Sequence, residues 1–261
     1  MTSWAWEEGT WQRRDALPVT DRGFRYGMSV FESMRVRRGQ PVHWYAHVWR
    51  LYAACEARAF PVPNAALGGL VQTLREHGGD GFARAYITAG DGAVDAPVTE
   101  CRAFLMLEER PRPAADAAYR VEIAEEPHRP LFSGLKTANY WAHADFLQRA
   151  RAHGNDEALL FNESAELISA CMGNVFLVRD GITHTPALPC GARDGVLREW
   201  VLGQIPVVQD SLFMEDVLQA EEVFITNSWL GVMPVRAVGE RKLPAGKVAA
   251  GLRERLVAAG L

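Results

Sequence analysis

The stretch Pro130-Leu131-Phe132-Ser133-Gly134-Leu135-Lys136-Thr137-Ala138-Asn139-Tyr140 decides how this chain is read, because it carries a lysine in a sequence that nearly does without them. Twenty-five arginines stand against three lysines, and the other two, Lys242 and Lys247, lie in a polar stretch near the C-terminus. An amine can lose its proton when buried and attack a carbonyl, which a guanidinium cannot do. Composition alone leaves an ordinary surface lysine equally open. The loop before Lys136 and the helical pattern after it place the lysine at a strand or loop end pointing inward, where burial disfavours the charged amine. A lysine that snorkels its ammonium to water fits the same spacing.

Working outward, the 261 residues allow one large domain or two modest ones with a sizeable core. Apolar residues at 48% and charged residues at 23% are ordinary for a globular chain. A net charge of −4 with scattered arginines gives no reason to expect nucleic acid, and points to a small-molecule partner. No apolar run approaches the roughly 18 residues of a membrane span. Met1 to Glu8 has neither the basic start nor the apolar core of a signal peptide, so the expected address is cytoplasmic, away from any membrane. Cys55, Cys101, Cys171 and Cys190 have no C-x-x-C pairing, which disfavours a metal site and predicts buried free thiols.

Asp21-Arg22-Gly23 and Tyr26-Gly27 read as turns, the alternation around Met34-Arg35-Val36 as a strand, and Arg37 to Pro41 as a hairpin turn. Val48, Leu51, Tyr52 and Cys55 recur at helical spacing within His43–Ala59. A second helix is predicted over Ala65–His77, ended by Gly78-Gly79, followed by strands at Ala83–Ala89 and Arg102–Glu108. The prolines of Arg110–Ala115 mark a linker. Beyond it come a strand at Tyr119–Glu125 and a helix over Asn139–His153. Ala158–Phe161, Leu167–Ser169 and Asn174–Val178 read as a meander, with turns at Asn162-Glu163-Ser164 and Asp180-Gly181. A helix from Gly195 to Leu202 and a strand at Glu222–Thr226 complete the pattern. The fold class is α+β in two subdomains, residues 1–112 and 116–261, and a seam between domains is a common place for a cofactor.

Two further constellations carry chemistry. Gly191 and Gly195 run into the helical pattern at Val196-Leu197, which leaves backbone N–H groups at a helix start suited to a phosphate, although glycine before a helix is common without one. Phe224-Ile225-Thr226-Asn227-Ser228 delivers three hydrogen-bonding side chains at a strand end, where such residues also serve as turn formers.

Taken in order, these pieces resemble the class IV aminotransferases, the fold-type IV pyridoxal-phosphate enzymes, a family that includes branched-chain and D-amino-acid aminotransferases and aminodeoxychorismate lyase. The similarity runs nearly end to end: Asp21 to Glu32, His47-Val48-Trp49-Arg50-Leu51, Lys136 to Tyr140, Asn155 to Leu160, Asn174-Val175-Phe176, Thr185-Pro186 and Ala220 to Ser228. The resemblance implies two α/β subdomains with pyridoxal 5'-phosphate at their interface, a homodimer, and amino and keto acids as substrates. It also implies that Lys136 forms the Schiff base and shuttles protons at the substrate Cα. Arg50, the N–H groups of Val196 and Leu197 and the Ser228 hydroxyl would hold the phosphate, and Tyr140 the cofactor's phenolic oxygen. A guanidinium and a helix start both suit a dianion.

The chain departs from the family pattern in several places. Five residues before Asn174, where most of the family carries the glutamate that keeps the pyridine nitrogen protonated, stands Ser169. Glu166, three residues earlier, falls on the opposite face of a strand. Arg193 stands two residues before Gly195, where branched-chain enzymes have a leucine against the ring; a guanidinium there disfavours pyridinium, unless it points to solvent. Ala89 replaces the arginine of the family's T-R-G segment, and Asp91 would repel a substrate carboxylate. Arg35 and Arg84 are candidate carboxylate partners, and Trp44, Tyr45 and Trp141 candidate pocket walls or core residues. The expected activity is amino-group transfer. An aminodeoxychorismate-lyase-like elimination shares the Lys136-to-Asn139 spacing, and a cofactor-binding protein with catalysis impaired at Ser169 is the third reading.

Overall fold

The computed structural model describes residues 1–77, 79–130, 132 and 134–260, and its contacts divide the chain into two compact units. Gly78, Leu131 and Ser133, drawn on above for a helix end and for the loop before Lys136, lie outside the described residues.

The first unit comprises Met1–Pro111 together with Leu135–Asn139. Its elements are β1 (Thr2–Glu7), β2 (Thr10–Arg13), α1 (Arg22–Tyr26), β3 (Ser29–Arg37), β4 (Gln40–Pro41), α2 (Trp44–Ala57), α3 (Asn64–His77), β5 (Gly81–Thr88) and β6 (Arg102–Glu108). The six strands form one antiparallel sheet in the order β2-β1-β6-β5-β3-β4. β3 shows how the sequence builds it. Alternation along a strand sends Val30, Met34 and Val36 to one face, where they join Leu51 and Cys55 of α2, Leu70 and Leu74 of α3, Ile87 and Leu105 in the core. Each such buried aliphatic side chain contributes about 2 kcal/mol. The helical spacing in α2 is as predicted, with Leu51 and Cys55 buried and Val48 and Tyr52 packed against them.

The turns expected at Asp21-Arg22-Gly23 and Tyr26-Gly27 are the two ends of a five-residue helix, each of them capped. Asp21 is fully buried and accepts from the Gly23 N–H at 2.7 Å, the Thr88 hydroxyl at 2.8 Å and Arg102 Nη1 at 3.1 Å. Gly27 closes the helix with φ +67°, and a Cβ there would stand 2.6 Å from Asn139 Oδ1, so only glycine fits. The hairpin β1–β2, with its turn at Glu8 and Gly9, gave no sequence signal that separated it from a loop.

The second unit comprises Arg112–Gly134 and Tyr140–Leu261, of which Leu261 is not described. It contains β7 (Tyr119–Ile123), α4 (Trp141–Ala152), β8 (Glu157–Phe161), β9 (Leu167–Ala170), β10 (Asn174–Arg179), β11 (Ile182–Pro186), α5 (Val196–Leu202), β12 (Val207–Asp210), α6 (Met214–Gln219), β13 (Glu222–Asn227), β14 (Gly231–Val238), β15 (Arg241–Lys242) and α7 (Lys247–Ala258). Nine strands form a mixed sheet in the order β12-β11-β10-β13-β14-β7-β8-β9, with β15 on β14. The helices cover it: α4 packs on β8, α5 on β13, α6 on β10 and α7 on β14. Phe176 and Phe224 stack face to face at 4.8 Å beneath α5 and α7.

The meander predicted over Ala158–Val178 is only half present. β8 and β9 pair antiparallel, but β10 pairs with β11 and β13. The cause lies in the turn between β9 and β10, where the Ala170 N–H bonds the Gly173 carbonyl at 2.9 Å. Gly173 is pressed so closely on β13 that a Cβ would stand 2.6 Å from Ile225 Cγ2. The four cysteines are free thiols, three of them buried. Among the described residues no helix is long and apolar enough to cross a membrane.

Glu157 opens β8 and is buried, with its carboxylate accepting the Met172 N–H at 3.1 Å. Burial pushes its carboxyl up to about 7, against the pull of that N–H. The folded chain thus keeps a proton that the unfolded chain releases near the ordinary value of 4.5. Stability is full below the unfolded value and falls as pH rises towards the folded one, by up to about 3 kcal/mol. Thermal melts from about pH 5 to about pH 8 should therefore decline more steeply for the parent chain than for Glu157→Gln. Equal slopes would rule this account out.

Candidate active site

The polar centre of the first unit is built around a carboxylate where the pattern of β3 calls for an apolar residue. Glu32 shares the core face with Val30 and Met34 and is only 3% exposed. It is tolerable there because α2 brings two donors one turn apart to meet it: His47 Nδ1 at 2.7 Å and Arg50 Nε at 3.0 Å. Burial pushes the Glu32 carboxyl up. The Arg50 guanidinium, the His47 hydrogen bond and charge, and the Lys136 ammonium outweigh it and hold the group at about 2.

Lys136 reaches this centre on a short piece of extended chain. The Phe31 N–H donates to the Lys136 carbonyl at 2.9 Å, Val30 bridges Thr137, and the Ala138 N–H returns to the Ser29 carbonyl at 3.0 Å. Asn139 Nδ2 ties the end of the segment to the Gly27 carbonyl at 3.2 Å. The amine, on a half-buried side chain, stands 4.4 Å from the centroid of the Phe31 ring, which itself stacks on Tyr86 at 5.0 Å. Within this unit, β3 holds both residues: the Lys136 segment lies along its edge, and Arg50 pairs with its Glu32.

In the second unit the expected residues gather about the tight turn from β9 into β10. Ser169 lies on β9 opposite Leu160, one residue before that turn, and is half-buried. Asn174, the first residue of β10, donates to the Arg193 carbonyl at 2.7 Å, and its amide oxygen lies so close to Gly195 that no Cβ fits there. This fixes the start of α5, whose N-cap Gly195 offers no side-chain acceptor. Val196 and Leu197 are buried. The first N–H groups of a helix have no carbonyl partner within it. Asn174 also faces Thr226 across the β10–β13 ladder. Of the three polar residues at that strand end, Asn227 is a turn former: it donates to the Met172 carbonyl at 3.0 Å and accepts from the Trp229 and Leu230 N–H groups. Thr226 is buried with its hydroxyl unpartnered among the described residues. Ser228 follows in the turn, half-buried.

Tyr140 caps the start of α4 and accepts from Arg193 Nη1 at 3.1 Å. Its ring stacks on His143 at 4.9 Å, and His143 meets His128 edge-on at 4.6 Å. Burial pushes the His128 imidazole down, and the Arg193 charge adds to the effect. Arg193 thus points at Tyr140 and not to solvent.

Several sequence expectations are corrected here. Arg84 already has a carboxylate, Glu108 at 3.5 Å, with its guanidinium over Phe82. Asp91 is neutralised by Arg102, which donates to both of its oxygens at 2.7 and 2.6 Å, so it presents no bare charge. Trp44 packs on the core of the first unit, whereas Tyr45 and Trp141 are 85% and 89% exposed. The Glu32 centre and the Arg193–Tyr140 bond went unread. The only sequence signal for the first was a carboxylate at a core-facing position of β3, and the second joins residues far apart in the chain.

The Amino-transferase class IV family profile matches residues 29–238. The chain is similar to an aminodeoxychorismate lyase of Vibrio harveyi, 29% identical over 92% of this chain and 95% of that protein. It is similar to a D-alanine aminotransferase of Listeria innocua, 24% identical over 90% of this chain and 87% of that one. Its fold is that of an aminotransferase from Brucella abortus solved with bound PLP, with a TM-score of 0.87, 23% identity and coverage of 99% of each chain.

Replacing Glu32 by Gln leaves the Arg50 guanidinium beside a neutral amide in a buried setting, and a loss of about 3 kcal/mol in urea unfolding is expected. The carboxylate's contribution is present above its ordinary 4.5 and is lost as pH falls towards about 2. A loss within about 0.5 kcal/mol, the range of an unremarkable surface change, would contradict this picture.

Proposed function

This chain belongs to the class IV aminotransferases, and on that premise we propose that it is a pyridoxal-phosphate enzyme that moves an amino group between an amino donor and a keto acid. The observation that carries the reading is that β3 holds both residues: the Lys136 segment pairs along its edge, and Arg50 bonds its buried carboxylate, Glu32. Lys136 holds the cofactor through its amine, and Arg50 offers a guanidinium to the phosphate from a side chain that Glu32 fixes.

The donors present suit that group. A dianionic phosphate needs several N–H and O–H groups in a setting with little competing water. In the second unit the buried start of α5 at Val196 and Leu197, the Thr226 hydroxyl, unpartnered among the described residues, and Ser228 are donors of that kind; in the first unit Arg50 is another. When bound, pyridoxal phosphate supplies an electron-withdrawing ring that stabilises negative charge at the substrate Cα. Once the substrate's own amine had displaced it from the cofactor, the Lys136 amine would be free to take the Cα proton and to give it back at the carbon that accepts it. Tyr140 donates to the phenolic oxygen and orients the ring. Ser169 takes the place of the carboxylate that would keep the ring nitrogen protonated, and its hydroxyl can only hydrogen-bond there. A homodimer in the cytoplasm belongs to the same reading.

The likeness to an aminodeoxychorismate lyase favours a second reading, in which the proton taken at Cα is followed by loss of a leaving group. A half-reaction screen with L- and D-amino acids separates the two, because only a transaminase converts its cofactor to the pyridoxamine form. A holoprotein that responds to no donor would favour a cofactor binder without turnover.

The purified chain is expected to be yellow, and borohydride should fix the cofactor to the peptide containing Lys136. A colourless chain that takes up no pyridoxal phosphate would overturn every form of the reading. Ser169→Glu is expected to shift the cofactor's absorption and to speed Cα proton exchange by about tenfold or more. If both stayed as in the parent chain, the assignment of Ser169 to the ring nitrogen would be wrong.

A further inference from the structure

Arg193 makes a bond that the proposed chemistry does not yet use. Asp194, the nearest acid in sequence, faces Arg198 at 3.9 Å, while the Arg193 guanidinium goes to an uncharged partner, the Tyr140 hydroxyl at 3.1 Å. Both ends of the contact are held in place. Asn174 clamps the Arg193 carbonyl at 2.7 Å. Tyr140 starts α4, its carbonyl accepting from the Ala144 N–H at 2.9 Å, and its ring lies on His143.

We propose that Arg193 is a positioning residue for the cofactor that acts through Tyr140. This rests on the reading of Tyr140 as the partner of the cofactor's phenolic oxygen. A tyrosine hydroxyl has one proton to give and lone pairs to fill. The Arg193 N–H fills a lone pair, which directs the proton away from Arg193. The guanidinium charge polarises the O–H bond and makes it a stronger donor to an anionic oxygen. Arg193 thereby supplies charge to the ring's phenolic side without touching the ring. Because Asn174 and α4 fix the two residues in advance, little ordering remains to be done when the cofactor arrives.

A double-mutant cycle tests this, using the parent chain, Arg193→Met, Tyr140→Phe and the combination. Cofactor-free protein is titrated with pyridoxal phosphate, and the dissociation constant and the position of the visible absorption band are read together. Arg193→Met is expected to weaken binding about tenfold, the worth of one charged hydrogen bond, and to shift the band. In the Tyr140→Phe background the same change should cost less than about twofold and leave the band in place. Arg193→Lys, which keeps the charge but not the planar fork, should recover part of the loss and serves if the methionine variant fails to fold. Equal losses in both backgrounds, or none in either, would overturn the inference. A parent chain that takes up no pyridoxal phosphate overturns the proposed function as well, whereas normal uptake with an uncoupled cycle removes only the role of Arg193.

Discussion

Glu32 is a carboxylate among aliphatic side chains, and much of the first unit is arranged to make that tolerable. An isolated buried carboxylate would take up a proton; this one stays ionised because α2 presents His47 and Arg50 on the face that packs against β3. The pairing sets the rotation of α2 about its axis as firmly as Leu51 and Cys55 do, since a helix turned away would strand the charge. It also fixes where the Arg50 side chain can lie. The segment carrying Lys136 then runs along the edge of the same strand, so one strand locates both: the lysine through backbone bonds and the arginine through Glu32.

The second unit uses a different device for the same end. Its polar groups are placed by backbone contacts so tight that side chains are excluded. Gly173 lies on Ile225, and Gly195 lies on Asn174. Asn174 joins the two, since it clamps the Arg193 carbonyl and faces Thr226 across the ladder. The turns that present Ser169, the start of α5 and Ser228 are therefore anchored within a few residues of one another in the ladder.

Much of this was legible in the sequence, for reasons that differ by element. The long elements α2, α3, β5 and β6 carry clear periods and compatible breakers, and they lie within a residue or two of their expected places. What periodicity cannot report is pairing. β8, β9 and β10 were each visible as strands, yet the choice of β13 over β9 as a neighbour of β10 depends on a glycine contact with a residue more than one element away. The helix α1 is too short for a period and exists because of Asp21, whose buried bonds to Thr88 and Arg102 are long-range. Lys136 stood out through its chemical type, and Arg50 through the resemblance of its motif to the family's. The bonds that Glu32 makes to Arg50, and Arg193 to Tyr140, did not, because support is a property of neighbours in space.

The five residues Leu135–Asn139 cluster with the first unit although the chain on either side of them belongs to the second. This has a consequence for the order in which the protein is made. During synthesis, the edge of β3 at Ser29 and Phe31 must wait for a strand that emerges only after the whole of β7 has been released. A nascent chain ending at the linker exposes that edge, and is a candidate for chaperone capture or mispairing. Division of the gene at the linker would leave the first unit without its Leu135–Asn139 segment. A split version of this protein needs its cut elsewhere, with the lysine peptide left in the fragment that carries β3.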